Sequence, residues 1–178
     1  MNYFQKMRGG GQAPPRVSLQ EIFWSWLGSI IGMGAITFLD SYVFQGLELI
    51  LLIGPAGASA VLVFGAIRSP LAQPRNLVGG HLLSAIVGVL SARLFDGNMV
   101  LASSLAVSTS IALMHLTKTL HPPGGATALI AVIGGEKIRA MGLLYVVFPA
   151  ALSSLILLAV AVLYNNMISS RKYPDHWI

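Results

Sequence analysis

Two stretches, Pro55-Ala-Gly-Ala-Ser-Ala60 and Pro123-Gly-Gly-Ala-Thr-Ala128, hold the residues best suited to chemistry in this chain. Each opens with a proline, which fits the first turn of a helix because its missing N–H is not needed there. Each continues with small residues that leave backbone N–H groups bare: Ala56, Gly57 and Ala58 in one, Gly124, Gly125 and Ala126 in the other. A helix start carries about half a unit of positive charge on such amides, which makes an anion site without a charged side chain. Ser59 and Thr127 add a hydroxyl donor one turn in. His121 immediately precedes the second stretch, where it can donate to an anion or carry a coupled proton, since histidine titrates near neutrality. His115 and Lys118 lie just upstream, either to gather anions at a mouth or to anchor the chain at an interface. The competing reading is that glycine, alanine and serine at this spacing only let helices pack closely.

No metal set emerges, because His115 and His121 do not share a helix face with a carboxylate. Catalysis has little support. Asp40, Glu48, Asp96, Glu136 and Asp175 fall at block ends or in tails, and no Gly-rich phosphate loop follows a strand. The expectation is therefore neither an enzyme nor a cofactor protein. A membrane-embedded enzyme would need a cluster that Lys118, His115 and His121 supply only weakly.

The two stretches match in register at proline, glycine, alanine, hydroxyl and alanine, with Pro55 and Pro123 68 positions apart. A short apolar run follows each, then a glycine, a basic loop and a full apolar block. Two units of three segments result, at about 20–95 and 97–165. An odd number of crossings per unit turns the copies over, which gives an inverted repeat, a frequent plan for transporters. In such a repeat the two helix starts oppose each other near the midplane and suit a small anion.

The elements that must position these groups are apolar blocks: Ile22–Leu39, Leu47–Ile67 (interrupted at Gly54-Pro55), Leu77–Phe95, Met99–Thr117 and Met141–Tyr164. A spanning helix takes about 20 apolar residues, so these five qualify. Pro122–Gly135 is shorter and reads as a half or broken helix. Basic residues orient the whole. The N-terminal tail, the Arg68/Arg75 loop and Lys118 lie inside, while Asp40, Glu48 and Asp96 mark outside turns. If the short block crosses, Arg171 and Lys172 also lie inside; if it dips and returns, they lie outside. Crossing is favoured. The organisation is thus a flexible cytoplasmic tail at 1–18, a transmembrane domain at 19–168 and a C-terminal tail at 169–178.

Composition agrees. Of 178 residues, 55% are hydrophobic and 10% charged, against roughly a quarter charged in soluble domains. The mean hydropathy of +0.76 fits a chain whose solvent is lipid. The formal charge of +5 is spread over loops and tails and forms no nucleic-acid footprint. Cysteine is absent, which excludes disulfides and thiolate chemistry.

The string His121-Pro122-Pro123-Gly124-Gly125-Ala126-Thr127-Ala128-Leu129 resembles the signature of the HPP family of integral membrane proteins. The resemblance extends to Gly54–Ala60, to Gln73-Pro74-Arg75-Asn76 and to Gly79-Gly80-His81, and covers most of the chain from about Trp24 to Tyr164. It brings Asn76 and His81 into the family pattern, although His81 alone reads as a structural residue at a block start. It implies four spanning helices, where hydropathy gives five long blocks. It also implies a bacterial, cyanobacterial or plastid membrane, here the bacterial plasma membrane, and nitrite as the substrate. The expected protein is an all-α polytopic bundle that passes a small anion as a channel or secondary transporter. A two-fold homodimer is the simplest assembly. The alternative is a non-transporting membrane scaffold.

Overall fold

The computed structural model describes residues 2–44 and 50–178. The start of the second apolar block at Leu47, and Glu48, lie outside the described residues. All regular elements among those described are helical. A single turn, α1 (Tyr3–Lys6), sits in the N-terminal tail. α2 (Leu19–Leu39) begins at Ser18, whose hydroxyl accepts the Glu21 N–H at 3.1 Å. It runs on through a wider π turn, Asp40–Phe44. α3 (Gly54–Ala60) also widens, over Val61–Gly65. After a 3₁₀ turn at Pro70–Ala72 come α4 (Pro74–Leu94), α5 (Met99–Leu116), α6 (Pro122–Ile133) and α7 (Gly135–Met141). A π turn, Val146–Ala151, leads into α8 (Leu152–Asn166).

Among the described residues four helices are long and apolar enough to cross a membrane: Leu19–Phe44, Pro74–Leu94, Met99–Leu116 and Val146–Asn166. The block Leu47–Ile67 is therefore not a full span, which corrects the hydropathy reading. Its helix begins only at Gly54, after an extended Ile53, and Pro55 in its first turn has no N–H to continue an upstream helix. The N–H groups of Leu51 and Leu52 are instead held by the Asp40 carboxylate, at 2.7 and 3.0 Å. α6 has 12 residues, about 18 Å of helix. The bundle is thus four spans enclosing two half-helices.

The two ends of the chain meet. Arg171, just past α8, pairs with Glu21 at the start of α2 at 2.7 Å. It also donates to Asn165 Oδ1 and Ser25 Oγ. Tyr173 donates to the Ala72 carbonyl and the Asp175 N–H to Gln73 Oε1, which ties the same end to the start of α4. Arg75 reaches the Thr117 carbonyl at the end of α5. The start of α2 and the end of α8 therefore share one end of the bundle.

α4 is the most enclosed span, and α6 lies along it with almost no side chain between them. A Cβ added at Gly88 would fall 2.5 Å from the Ala128 carbonyl oxygen, and one at Gly80 would fall 2.6 Å from His121 Cβ. Gly80, Ser84 and Gly88 form a small-residue seam of the kind that brings membrane helices into backbone contact. The half-helices also share a burial pattern. Ile53, Pro55, Ala56, Ser59 and Ala60 are buried, as are His121, Pro123, Gly124, Thr127 and Ala128. Gly57 and Gly125 are half-buried; Ala58 and Ala126 are exposed.

The seam gives a test. Gly88→Ala should destabilise the protein by about 1–3 kcal/mol, the usual cost of overpacking. Gly57→Ala, with open space at its Cβ position, should not. Thermal unfolding of both variants in mild detergent checks the contrast.

Candidate functional site

The half-helices meet at a chain of buried polar groups. Ser59 comes from α3, His81 from α4, His121 from the residue before α6 and Thr127 from within α6. None is more than 1% exposed. Ser59 Oγ lies 2.7 Å from His81 Nε2 and 2.8 Å from His121 Nε2. His81 Nδ1 lies 2.7 Å from Thr127 Oγ1, and His121 Nδ1 lies 2.8 Å from the Leu71 carbonyl of the 3₁₀ turn. The imidazole rings stand edge to face, 5.0 Å apart.

Chemistry fixes the direction of these bonds when both rings are neutral. The Leu71 carbonyl can only accept, so His121 carries its proton on Nδ1. His121 Nε2 then accepts, and the Ser59 hydroxyl donates to it. Ser59 has no second proton, so His81 donates from Nε2. His81 Nδ1 is left to accept from Thr127. Every bond points from Thr127 towards Leu71. The remaining contact, Thr127 Oγ1 to the Pro123 carbonyl, is the longest at 3.3 Å. It fits a hydroxyl whose proton is engaged elsewhere.

Local sequence explains how the groups reach one another. His81 follows Gly80, and only a glycine there leaves room for His121. Asn76 donates to the Leu120 carbonyl at 2.8 Å and holds the connecting segment that carries His121. The Tyr145 hydroxyl donates to the Thr127 carbonyl at 2.9 Å and braces α6 on its far side.

Of the residues singled out from sequence, Ser59, His81, His121 and Thr127 come together. Asn76 acts one step away. His115 and Lys118 are exposed at the end of α5 and donate no side-chain hydrogen bond to the chain. The bare helix starts need correction. The Gly124 N–H turns back to the His121 carbonyl at 2.8 Å, and a Cβ there would meet Ser84 Oγ at 2.8 Å. The Ala56 N–H likewise returns to Ile53, and Ala56 is buried. At Gly124 small size therefore serves packing. Gly57 has open space at its Cβ position, and Gly125 meets only Val107 at 3.8 Å. α3 and α6 lie alongside each other, and what faces the start of α6 is the Ser59 hydroxyl rather than a second open helix start. Sequence reading missed the Leu71 carbonyl, Gly80 and Tyr145. The run Gly79-Gly80-His81 was the one signal, a histidine in a setting small enough for close backbone approach.

No group of His, Asp or Glu that could hold a metal occurs among the described residues. Cavities lie towards both ends of the bundle. One of about 340 Å³ is lined by Arg93, Asp96 and Arg139 with Val89 and Ala131. The other, about 320 Å³, is lined by Glu21, Arg68, Ser69 and Arg171.

The model of the transmembrane region of the HPP family matches residues 14–174. The chain belongs to the HPP transmembrane family. Two relatives described as transmembrane proteins of Dictyostelium discoideum are similar to it. One is 48% identical over 99% of this chain and 58% of its own length. The other is 44% identical over 99% of this chain and 64% of its own length. The chain spans about three fifths of the length of these curated relatives. No solved structure matches. In this HPP protein the family's name-giving histidine, His121, is thus buried and hydrogen-bonded to Ser59 of α3 and to the Leu71 carbonyl.

Two outcomes test the site. ¹⁵N NMR of histidine-labelled protein at neutral pH should find His121 protonated on Nδ1 and His81 on Nε2. Ser59→Ala leaves both Nε2 atoms unpaired and should cost about 1–3 kcal/mol, measured by thermal unfolding against wild type.

Proposed function

We propose that this HPP protein passes a small inorganic anion across the bilayer. Its two half-helices form an inverted repeat, and nitrite is the first substrate to try, as the family resemblance implies. The observation that carries this reading is the convergence of Ser59 and Thr127 on His81. They are equivalent positions of the two stretches, and both reach one buried imidazole at span depth. Ionisable groups there are costly and mark transport paths. Interrupted helices around a midplane site are a transporter device. The hydroxyls and ring N–H groups supply donors for an anion. The cavities at the two ends carry Arg93 and Arg139, or Arg68 and Arg171, which suit anion entry and exit. Between them the polar chain is closed, as in an occluded state.

Eight of the 11 Lys and Arg residues fall in the tails and loops at the end shared by α2 and α8: Lys6, Arg8, Arg16, Arg68, Arg75, Lys118, Arg171 and Lys172. That asymmetry supports a cytoplasmic N-terminus and, with α8 ending where α2 begins, a cytoplasmic C-terminus.

The tight seam at Gly80, Gly88 and Gly124 favours a second reading, a non-transporting membrane scaffold. Uptake decides between them. Proteoliposomes should take up nitrite faster than protein-free vesicles. Ser59→Ala and Thr127→Val should each slow that uptake about tenfold or more, in line with a lost hydrogen bond to a charged ligand. Wild-type uptake at the protein-free rate would sink transport and leave the scaffold.

A further inference from the structure

We infer that the Ser59-bridged histidine pair is a binding site for one proton, which crosses together with the anion. The inference rests on the anion reading above and names its coupling ion.

The argument is a count of protons against bonds. From the Leu71 carbonyl through His121, Ser59, His81 and Thr127 to the Pro123 carbonyl there are five contacts. Both ends are carbonyls, which accept only. With neutral rings the four side chains bring one mobile proton each, so one contact holds none. The 3.3 Å contact to Pro123 is the natural vacancy. One added proton fills it. The ring that gains the proton donates from both nitrogens, Ser59 and Thr127 reorient as required, and Thr127 turns its hydroxyl to Pro123. The charge can rest on either ring with all five contacts filled. A second added proton would leave Ser59 accepting from both rings, with no place in the chain for its own proton. The capacity is therefore one.

The surroundings tie that proton to an anion. α3 presents Ser59 alone to the chain. From α4 come His81, with Asn76 on the Leu120 carbonyl and Arg75 on the Thr117 carbonyl. α5 faces it with Met114, while His115 is exposed. Tyr145 donates to the Thr127 carbonyl and Tyr173 to the Ala72 carbonyl. Glu21 is engaged by Arg171. Among the described residues no carboxylate bonds to the chain. An imidazolium there has no counter-charge, and a buried unpaired charge is costly. An arriving anion supplies the missing charge, so each ligand favours the other by reciprocal linkage. The loaded pair is neutral and crosses without moving net charge.

Proteoliposomes loaded with a fluorescent pH dye test this, with protein-free liposomes run in parallel to subtract passage of nitrous acid through lipid. External nitrite should acidify the lumen faster than in protein-free vesicles. A lumen more alkaline by one pH unit should accumulate nitrite about tenfold. A potassium-diffusion potential of either sign should leave the initial rate unchanged. Thr127→Val, which keeps shape but removes the last link, should slow proton-linked uptake about tenfold. Thr127→Ser should restore it. Protein-dependent uptake that follows the potential and leaves the lumen pH unmoved would overturn proton coupling while anion transport stands. Absence of protein-dependent uptake under every gradient would remove the anion reading, and this inference with it.

Discussion

Lipid offers no hydrogen bonds, so every backbone group it surrounds must be satisfied from within the protein. This chain meets that constraint while breaking two helices inside the apolar blocks, and much of the structure follows from the repair. At the first break Asp40 reaches across to hold the N–H groups of Leu51 and Leu52. At the second, the segment before α6 is held by Asn76 on the Leu120 carbonyl, and the carbonyl of Leu71 is capped by His121. Polar side chains at membrane depth are in this sense structural before they are functional. They make the half-helices tolerable.

The repair depends on close approach. Arg171 and the C-terminal tail clamp the start of α2 to the start of α4 at one end. In the middle, α4 and α6 touch backbone to backbone at Gly88 and Ala128. Fixing α6 against α4 is what brings Thr127 and His121 to the single ring of His81. A longer side chain at Gly80 would push His121 away and leave Ser59 with one partner instead of two.

Much of this was legible from residue types and spacing. The doubled proline-led stretches marked both half-helices, and Ser59, Thr127 and His121 are side chains that the structure brings together with His81. Three things were not legible. Hydropathy reads Leu47–Ile67 as one block because Leu51 and Leu52 are apolar; composition does not say that a carboxylate 11 residues upstream replaces their helical bonds. Gly124 and Gly125 are neighbours of the same type, yet one is pressed on Gly80 and Ser84 while the other faces a groove. Only tertiary packing separates them. The Glu21–Arg171 pair joins residues 150 positions apart, beyond any local pattern.

The direction of the bonds matters more than their number. A chain whose ends are both carbonyls cannot pass a proton straight through, because neither end releases or supplies one. It can only take up a proton from a neighbouring donor and return it after the surroundings move. Such a site serves alternating access better than a continuous wire would. Closed towards both cavities, it protects its charge from leak. On the proposed reading, opening it to one cavity would let proton and anion enter together. On the same reading, the glycine seam that packs α6 on α4 would be the part that slides or separates. The small residues that bring α4 and α6 into backbone contact would also present smooth surfaces along which α6 could shift on α4.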